Sequence, residues 1–478
     1  MDTTDERLQQ SNGSDETHQA TSNGHTIASV DIDPAVSKLK ICIIGAGMGG
    51  LTTALALAAA GFQDIEVYEY ASDLGFVGAG IQMAPNMARI LDRLGVWKEI
   101  AREAVVLNET SIREGATDEE LANVNLRYIK EQYGYEHMVG HRSTLARGLY
   151  EGCKRYPVVK FNFGMQCEDI DIVSDRPSFT AVPRKDPSQQ PRKVSCDVLL
   201  GADGIKSNTR AALLKHVGAD ATIVDTKQAA YRIMLSKEQM AHDPELLKLI
   251  DSDRVIRWIG EKRHIIAYPV ENKTIYNLST TQPDANFAAA PSATYTTKGS
   301  KKAMLDVFGD FCPMIQRMLD LVPEGEVCEW KLRVHEPLPT WLVNSTALVG
   351  DACHPTLPHL AAGAAQAIED AAVLGVVLAR MPDATPTNIN KALRIYEMVR
   401  KERAEILVAL AASSGKGLHL GSGAAKEERD KAFAALKASG GKGHVPDRWA
   451  DAEIQKMHYG FDCVKVAEEV FEKEFSKL

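Results

Sequence analysis

A glycine-rich turn between an apolar segment and a helical segment is the feature that most constrains how this 478-residue chain folds. The apolar segment Leu39–Ile44 runs through the letters GAGMGG into Leu51–Ala60, whose composition is typical of a helix. In this arrangement Gly45 permits a tight turn, Gly47 lets the backbone approach a pyrophosphate, and Gly50 lets the helix pack closely on the strand. The pattern predicts a Rossmann-like unit that binds a dinucleotide, although a glycine turn without a ligand has the same letters.

An acidic residue stands at the position where such a unit needs one. A second apolar segment, Asp64–Tyr68, ends at Glu69, which follows the last glycine of the turn by 19 residues. A carboxylate at this spacing accepts hydrogen bonds from a ribose 2′-hydroxyl. Because Glu69 leaves no evident place for a 2′-phosphate, we expect FAD or NAD, rather than NADP, as the resident dinucleotide.

Two later stretches also combine an apolar strand with a tight turn. The first, Asp197–Gly204, has the letters DVLLGADG, and its Asp203 either caps the following helix or contacts a ligand. In the second, the letters ALV at 347–349 lead into Gly350 and Asp351, then into a proline-containing loop and a helix that starts at about Ala364. Asp351 is suited to accept hydrogen bonds from sugar-alcohol hydroxyls, and the helix start offers unpaired N–H groups to an electron-rich ring carbonyl.

The order and spacing of these motifs resemble the single-component FAD-dependent aromatic hydroxylases (group A flavoprotein monooxygenases), in particular their salicylate hydroxylase-like branch. The resemblance covers about Leu39–Met381 and departs from the family around Ala361–Ala365, where this chain has alanines and the family often has more glycine. The resemblance implies FAD as the cofactor and five contact residues: Glu69 for the adenosine ribose, Gln82 near the cofactor, Arg142 on the flavin side, Asp351 for the ribityl chain or pyrophosphate, and Ala364 for the isoalloxazine.

We therefore expect an α/β fold in which a Rossmann-like FAD-binding domain is interleaved with a β-sheet substrate domain, followed by C-terminal helices. Segments rich in Val, Ile and aromatic residues between about 229 and 280 alternate as strands of the second sheet do. The expected division is a disordered tail at 1–38, the FAD-binding domain at 39–225 and 341–381, the substrate domain at 226–340, and a C-terminal helical region at 382–478.

The resemblance also implies a reaction. NADH or NADPH, between which the sequence does not decide, reduces the flavin, and molecular oxygen then gives a flavin C4a-hydroperoxide that hydroxylates a small phenolic or aromatic-acid substrate. Arg232 is the main catalytic candidate, since a cation beside a phenol oxygen lowers its pKa. Tyr268 is the second, as a hydrogen-bond partner or base. The alternatives are a surface arginine and a core tyrosine.

Two other classes of function remain open. A peroxisomal FAD-dependent oxidase or dehydrogenase of a small organic substrate shares this type of fold, and a non-catalytic flavin-binding protein has the same turn motifs. A hydroxylase consumes NAD(P)H in dependence on an aromatic compound, and this dependence separates it from the oxidase or dehydrogenase. The identity of the substrate and the position of hydroxylation are not readable from the sequence.

Charge and composition exclude several partners. A net charge of −9 and a pI near 5.9 argue against nucleic acid, and no apolar run reaches the length of a membrane span. The eight cysteines include no CxxC pair and are typical of buried thiols. His354 and His359 lie five residues apart without a third ligand nearby, so we expect no metal site.

The letters Ser476-Lys477-Leu478 match the C-terminal address that a peroxisomal import receptor reads. We expect a peroxisomal location on this basis. A chance match, with a cytoplasmic location, is the alternative.

Overall fold

Residues 31–75, 79–174, 176–184, 190–220, 222–284, 296–439 and 445–478 are described by the computed structural model of the chain. The strands are β1 (Lys40–Ile44), β2 (Asp64–Glu69), β3 (Gly80–Met83), β4 (Val105–Val106), β5 (Glu109–Glu114), β6 (Glu120–Asn125), β7 (Met138–His141), β8 (Val159–Phe163), β9 (Met165–Asp171), β10 (Ser178–Pro183), β11 (Arg192–Ser195), β12 (Val198–Gly201), β13 (Ile223–Ser236), β14 (Arg254–Gly260), β15 (Arg263–Val270), β16 (Ile275–Pro283), β17 (Thr296–Lys298), β18 (Cys328–His335), β19 (Leu342–Val343) and β20 (Thr346–Leu348). The α-helices are α1 (Met48–Ala59), α2 (Pro85–Arg93), α3 (Trp97–Ala101), α4 (Tyr128–Tyr133), α5 (Arg142–Lys154), α6 (Asn208–Val217), α7 (Lys237–Met240), α8 (Pro244–Ile250), α9 (Lys301–Val307), α10 (Pro313–Asp320), α11 (Gly363–Ala379), α12 (Pro386–Leu418), α13 (Ala424–Ala438), α14 (Ala452–Tyr459) and α15 (Cys463–Glu474). Short 3-10 helices lie at Val36–Lys38, Gly350–Ala352 and Pro358–Leu360.

A six-stranded sheet in the order β19-β20-β12-β1-β2-β8 carries the three turn motifs. β1 pairs in parallel with β2 and β12, and β12 pairs in parallel with β20. The register aligns Ile44 with Gly201, and Gly201 with Leu348. Because parallel strands end at the same edge of a sheet, the turns that follow these three strands lie side by side.

Two alanine-rich helices cover this sheet close to the turns. α1 packs along α11, and both are buried over most of their length. Their small side chains allow the close approach: a Cβ added to Gly49 would lie 3.4 Å from the Cβ of Ala367. Both helices begin at the edge where the strands end, so their N-terminal N–H groups face the same region.

An eight-stranded sheet in the order β17-β18-β13-β16-β15-β14-β5-β6 forms the second large layer. Its neighbours are antiparallel except for β14 and β5, which are parallel. β5 and β6 fall inside 39–225, the stretch expected to form only the FAD-binding domain. They join the second sheet because Ile112 and Val124 bury their side chains in the same hydrophobic core as Ile259.

The two ends of the chain differ in their relation to the first sheet. Of the expected tail at 1–38, residues 1–30 lie outside the described residues. The short helix at 36–38 is anchored by Val36, which is fully buried, so the packed chain begins before residue 39. At the other end, α12 runs for 33 residues, and α15 buries Ala467 and Phe471 in the core beneath the first sheet. Among the described residues, no helix combines the length and hydropathy needed to cross a membrane.

Candidate active site

The first and last glycines of the GAGMGG turn, Gly45 and Gly50, are fixed by the space around them. Gly45 has a φ of +102°, and a Cβ there would overlap the carbonyl oxygen of Ala202 in the neighbouring turn. A Cβ on Gly50 would overlap the carbonyl oxygen of Gly45. Gly47 differs, since a Cβ on it would meet no atom within 4 Å. The two ends of the turn therefore pack tightly against neighbouring backbone, whereas Gly47 faces open space.

Glu69 holds this turn from the end of β2. Its Oε2 accepts a hydrogen bond from the N–H of Ala46 at 2.7 Å, and its Oε1 accepts one from the N–H of Ala71 at 2.7 Å. Each carboxylate oxygen has a further lone pair, so these bonds leave capacity for a ribose hydroxyl. The place that the sequence predicts for a ribose-binding acid is thus beside the glycine turn.

A cavity of about 390 Å³ opens in front of the turn and is lined by the turns that follow strands of the first sheet and by strands of the second sheet. A smaller cavity of about 140 Å³ shares Gly47, Met48 and Arg142 with it. Gly45 and Gly50 lie within the turn, and Glu69 lies behind it. None of these three residues lines either cavity. Seven of the site residues expected from the sequence do line the larger one: Gly47, Gln82, Arg142, Arg232, Tyr268, Asp351 and Ala364.

Adjacent strands of the second sheet form one wall of the cavity. The register places Arg232 of β13 opposite Ser279 of β16, and Ser279 opposite Ile266 of β15. Tyr268 lies two residues beyond Ile266 and therefore points to the same face of the sheet. All four line the cavity, so this wall combines a cation, two hydroxyl groups and an apolar side chain.

The two arginines of the cavity have no acidic partner within hydrogen-bond or ion-pair distance among the described residues. The guanidinium of Arg232 lies 4.8 Å from the ring centroid of Trp330, in a cation–π contact. Burial, and then the positive charge of Arg142, lower the pKa of Arg232 from its usual value. The carboxylate of Asp351 also lines the cavity. The side of the cavity formed by the second sheet thus offers positive charge that the protein does not neutralise by direct pairing.

Tyr268 packs against β3, which belongs to a three-stranded sheet in the order β3-β7-β4. A Cβ on Gly80 of β3 would come within 2.6 Å of its ring, and the N–H of Gly80 donates to Oδ1 of Asn277 at 2.7 Å. Burial raises the pKa of Tyr268 above its usual value, while the charge of Arg232 opposes the shift. The phenol is therefore protonated at neutral pH and is available as a hydrogen-bond donor.

The turn that delivers Asp351 is held by a buried ionic network that the sequence reading missed. Asp370 of α11 accepts hydrogen bonds from the N–H of Gly350 at 2.9 Å and from Nε of Arg400 at 2.8 Å. Its Oδ2 also lies 2.6 Å from Nε2 of His354. Burial opposes ionisation, but the charges of His354 and Arg400 hold the pKa of Asp370 at about 2. A sequence signal existed, since the adjacent acids Glu369 and Asp370 interrupt a helix that is mostly apolar.

Several other candidates are resolved by their contacts. Asp203 accepts hydrogen bonds from the N–H of Thr209, at 3.0 Å, and from its hydroxyl, so it acts at the start of α6 as the capping alternative predicted. His354 contacts Asp370, whereas the ring of His359 lies against those of His264 and His419, so the two histidines do not converge. The sulfur of Cys353 and the ligand atoms of His354 and Asp370 lie within 4.8 Å of one another, but Arg400 and a backbone N–H already occupy the carboxylate.

These groups match the parts of a flavin dinucleotide. The open backbone at Gly47 and the start of α1 suit a pyrophosphate, and Asp351 suits the hydroxyls of a ribityl chain. The loop before α11 brings Ala361, with a φ of +52°, and Ala364 to the cavity wall. The N–H of Ala361 donates to the carbonyl oxygen of Pro358 at 3.0 Å, whereas the N–H of Ala364, in the first turn of α11, has no acceptor within the helix and is available to a ring carbonyl. The fold and this cavity define a flavin-dependent oxidoreductase.

Comparison with known proteins gives the family. The profile of the FAD binding domain family matches residues 38–286, and the chain belongs to this family. It is 30% identical to the FAD-dependent monooxygenase atnJ of Arthrinium sp over 90% of this chain and 95% of that protein. It is 32% identical to 3-hydroxybenzoate 6-hydroxylase 1 of Aquipseudomonas alcaligenes, over 76% of this chain and 85% of that protein.

The fold has a close relative among solved structures. A salicylate hydroxylase in complex with its substrate superimposes with a TM-score of 0.73 at 21% identity, covering 91% of this chain and 98% of that one. The chain is thus an FAD-dependent monooxygenase of the aromatic hydroxylase family. The expected fold class, the family resemblance and FAD as the resident cofactor are confirmed.

Proposed function

We propose that this enzyme hydroxylates a phenolic or aromatic-acid substrate at the expense of NADH or NADPH and molecular oxygen. The observation that carries the proposal is the pair Arg142 and Arg232, which face the cavity without a direct acidic partner among the described residues. An anionic aromatic compound supplies the missing negative charge. Bound FAD, once reduced by the nicotinamide, supplies the oxygen-transfer chemistry through a flavin C4a-hydroperoxide. One oxygen atom enters the aromatic ring and the other leaves as water.

Residues of the second sheet orient the substrate in this proposal. Arg232 stabilises a phenolate or carboxylate, because a cation nearby favours the ionised form. Tyr268 donates a hydrogen bond from its neutral phenol to a substrate oxygen. Ile266 and Pro358 contribute apolar wall that excludes water from the reacting face. Two of the proteins named above are, by name, a 3-hydroxybenzoate hydroxylase and a salicylate hydroxylase, and both of these compounds are anionic aromatic acids at neutral pH.

The experiment that tests this proposal is anaerobic reduction of the FAD-loaded protein by NADH and by NADPH. The loss of visible flavin absorbance measures the rate of reduction. Each nucleotide is mixed with the protein alone and with a panel of hydroxybenzoates, hydroxynicotinates, neutral phenols and unsubstituted aromatics. We expect reduction to accelerate by at least tenfold with particular anionic aromatics. Equal rates across the panel would contradict the proposed substrate class. No reduction by either nucleotide, with direct reduction by an organic substrate, would favour the oxidase or dehydrogenase alternative.

Peroxisomal import is a separate proposal that rests on the letters SKL at 476–478. The side chains of Ser476 and Lys477 are exposed, so both are available to a receptor. A fluorescent protein fused to the N-terminus is expected to colocalise with peroxisomes, and deletion of the three residues is expected to leave it in the cytoplasm. A cytoplasmic signal from the undeleted fusion would remove this proposal without affecting the proposed reaction.

A further inference from the structure

Gln82 is held from behind by a histidine that does not line the cavity. Gln82 lies on β3, on the cavity wall, and its Oε1 is 3.2 Å from Nε2 of His137. Gln82 is 5% exposed and His137 is 2% exposed. β3 pairs with β7, and His137 directly precedes β7, so the contact joins neighbouring strands.

The chemistry of the two groups fixes the direction of this hydrogen bond. An amide oxygen only accepts, so His137 donates from Nε2. Its Nδ1 then carries a lone pair, and this atom is buried without a hydrogen-bond partner among the described residues. Burial, and then the charge of His458, lower the pKa of His137 to about 3, so the imidazole stays neutral. A proton on Nδ1 would be a buried N–H donor without an acceptor among the described residues, which costs more than an unpaired lone pair. The tautomer with the proton on Nε2 is therefore favoured.

Aromatic rings from the C-terminal region hold the imidazole in place. The ring of Trp449 stands edge-on to it, with centroids 5.3 Å apart and an interplanar angle of 85°. The ring of Tyr459 lies 5.6 Å away on another side. Among the described residues neither ring makes a hydrogen bond to His137, so the contacts fix its position without competing for its proton.

We infer that His137 is a positioning residue that fixes the amide of Gln82, so that the Nε2 hydrogens of Gln82 face the cavity as donors to the bound flavin. With the amide oxygen occupied by His137, the opposite orientation would place two N–H donors against each other. An amide free to rotate by 180° would present its oxygen to the cavity instead, and a cofactor acceptor atom would lose its partner. This inference rests on FAD as the cofactor and is independent of the aromatic substrate proposed above.

The test compares two substitutions of the same residue. His137→Leu removes the donor, whereas His137→Gln places an Nε2 donor at a similar reach. We expect His137→Leu to bind FAD about tenfold more weakly, as the loss of one hydrogen bond implies, and to shift the visible spectrum of the bound flavin. His137→Gln is expected to restore both. Equal affinity and an unchanged spectrum in His137→Leu would overturn the inference.

A double-mutant cycle separates positioning from packing. If His137 acts through Gln82, His137→Leu has no further effect on FAD affinity or spectrum in a Gln82→Ala background. Additive effects in that background would overturn the inference and assign His137 a packing role. His458→Leu is the matched control, since His458 is equally buried beside Tyr459 and makes no contact with Gln82. It is expected to leave FAD binding and the flavin spectrum unchanged.

Discussion

The carboxylate of Asp370 accepts a hydrogen bond from the backbone N–H of Gly350, with 2.9 Å between oxygen and nitrogen. Gly350 has a φ of +62°, and the turn it forms delivers the next residue, Asp351, to the cavity. Asp370 remains ionised in the core because Arg400 balances its charge. A helix on one face of the first sheet thus sets the position of the Asp351 carboxylate at the edge of that sheet.

Replacement of Asp351 tests the acid that this turn presents. We expect Asp351→Ala to lower FAD affinity by about 10- to 100-fold, because an ionised acceptor contributes roughly 1.5–3 kcal/mol per hydrogen bond. Asp351→Asn keeps one acceptor oxygen, so its FAD affinity is expected to lie between those of the wild type and Asp351→Ala. Flavin content after purification and quenching of FAD fluorescence measure the effect. The exposed Asp320, replaced by alanine, is the control; wild-type flavin occupancy in Asp351→Ala would contradict the assignment.

Glu69 is expected to contribute to both folding and cofactor binding, since its two oxygens hold two backbone N–H groups beside the glycine turn. We expect Glu69→Ala to lower the free energy of unfolding of the apoprotein by about 2 kcal/mol and to weaken FAD binding further. Urea unfolding and FAD titration measure the two effects. Asp64→Ala, on the same strand with an exposed ion pair to Lys160, is the control and is expected to cost under about 1 kcal/mol. Equal stability of both variants would refute the role of Glu69.

Arg232 is expected to affect substrate use and not cofactor retention. In Arg232→Ala we predict wild-type FAD content, a KM for the aromatic substrate raised by about 10- to 100-fold, and more NAD(P)H consumed per product formed. Arg232→Lys keeps the charge but loses the planar contact with Trp330, so an intermediate effect is expected. Arg254→Ala, which removes an exposed arginine of the same sheet, serves as the control. Unchanged product yield in Arg232→Ala would place this arginine outside the active site.

Ala361 occupies a backbone conformation that suits glycine. Its φ of +52° lies in the left-handed region, which costs a residue with a Cβ about 1–2 kcal/mol. We expect Ala361→Gly to raise the free energy of unfolding by up to about 1 kcal/mol, after allowing for the greater freedom of glycine in the unfolded chain. The neighbouring Ala362 has a φ of −94°, so Ala362→Gly is expected to have the opposite sign. Chemical denaturation of both variants decides the matter, and a shared sign would contradict the argument.

The parts of the site that the sequence predicts are those that depend on local geometry. Gly45 and Gly50 are readable because a tight turn and close packing require glycine wherever that turn occurs. Parallel pairing then brings the three turns to one edge, so the position of Asp351 also follows from the motif order. Arg232 is predicted as a catalytic residue from a strand pattern and the family resemblance together.

Other features depend on contacts between residues distant in sequence. The pairing of β5 with β14 joins segments more than a hundred residues apart, and nothing local in either segment specifies it. The contact between His137 and Gln82 depends on the register of β7 against β3, and its aromatic surroundings come from the C-terminal region. Asp370 gave a local signal, but its partner Arg400 lies on another helix. Such pairings become readable only when the fold is known.

A cluster of two buried histidines and one half-buried histidine predicts how the stability of this fold depends on pH. His359, in the loop beside the cavity, lies against His264 and His419, whose rings face each other at 2.6 Å between Nδ1 and Nε2. Arg257, paired with the buried Asp447, adds positive charge nearby. Burial, and then the charges of His419 and Arg257, lower the pKa of His359 to about 3.

The folded pKa of His359 lies below its unfolded value near 6.5, so between these values the unfolded chain binds the extra proton. The free energy of unfolding therefore falls as pH decreases, by about 1 kcal/mol per pH unit for this group. Urea unfolding with saturating FAD between pH 6.5 and 5 measures the slope, in a window above the titration of Asp370 and Glu369. We expect His359→Leu to reduce the slope by about 1 kcal/mol per pH unit. His242→Leu, which replaces an exposed histidine, is expected to leave the slope unchanged. The same slope in His359→Leu as in the wild type would mean that His359 does not resist protonation in the folded protein.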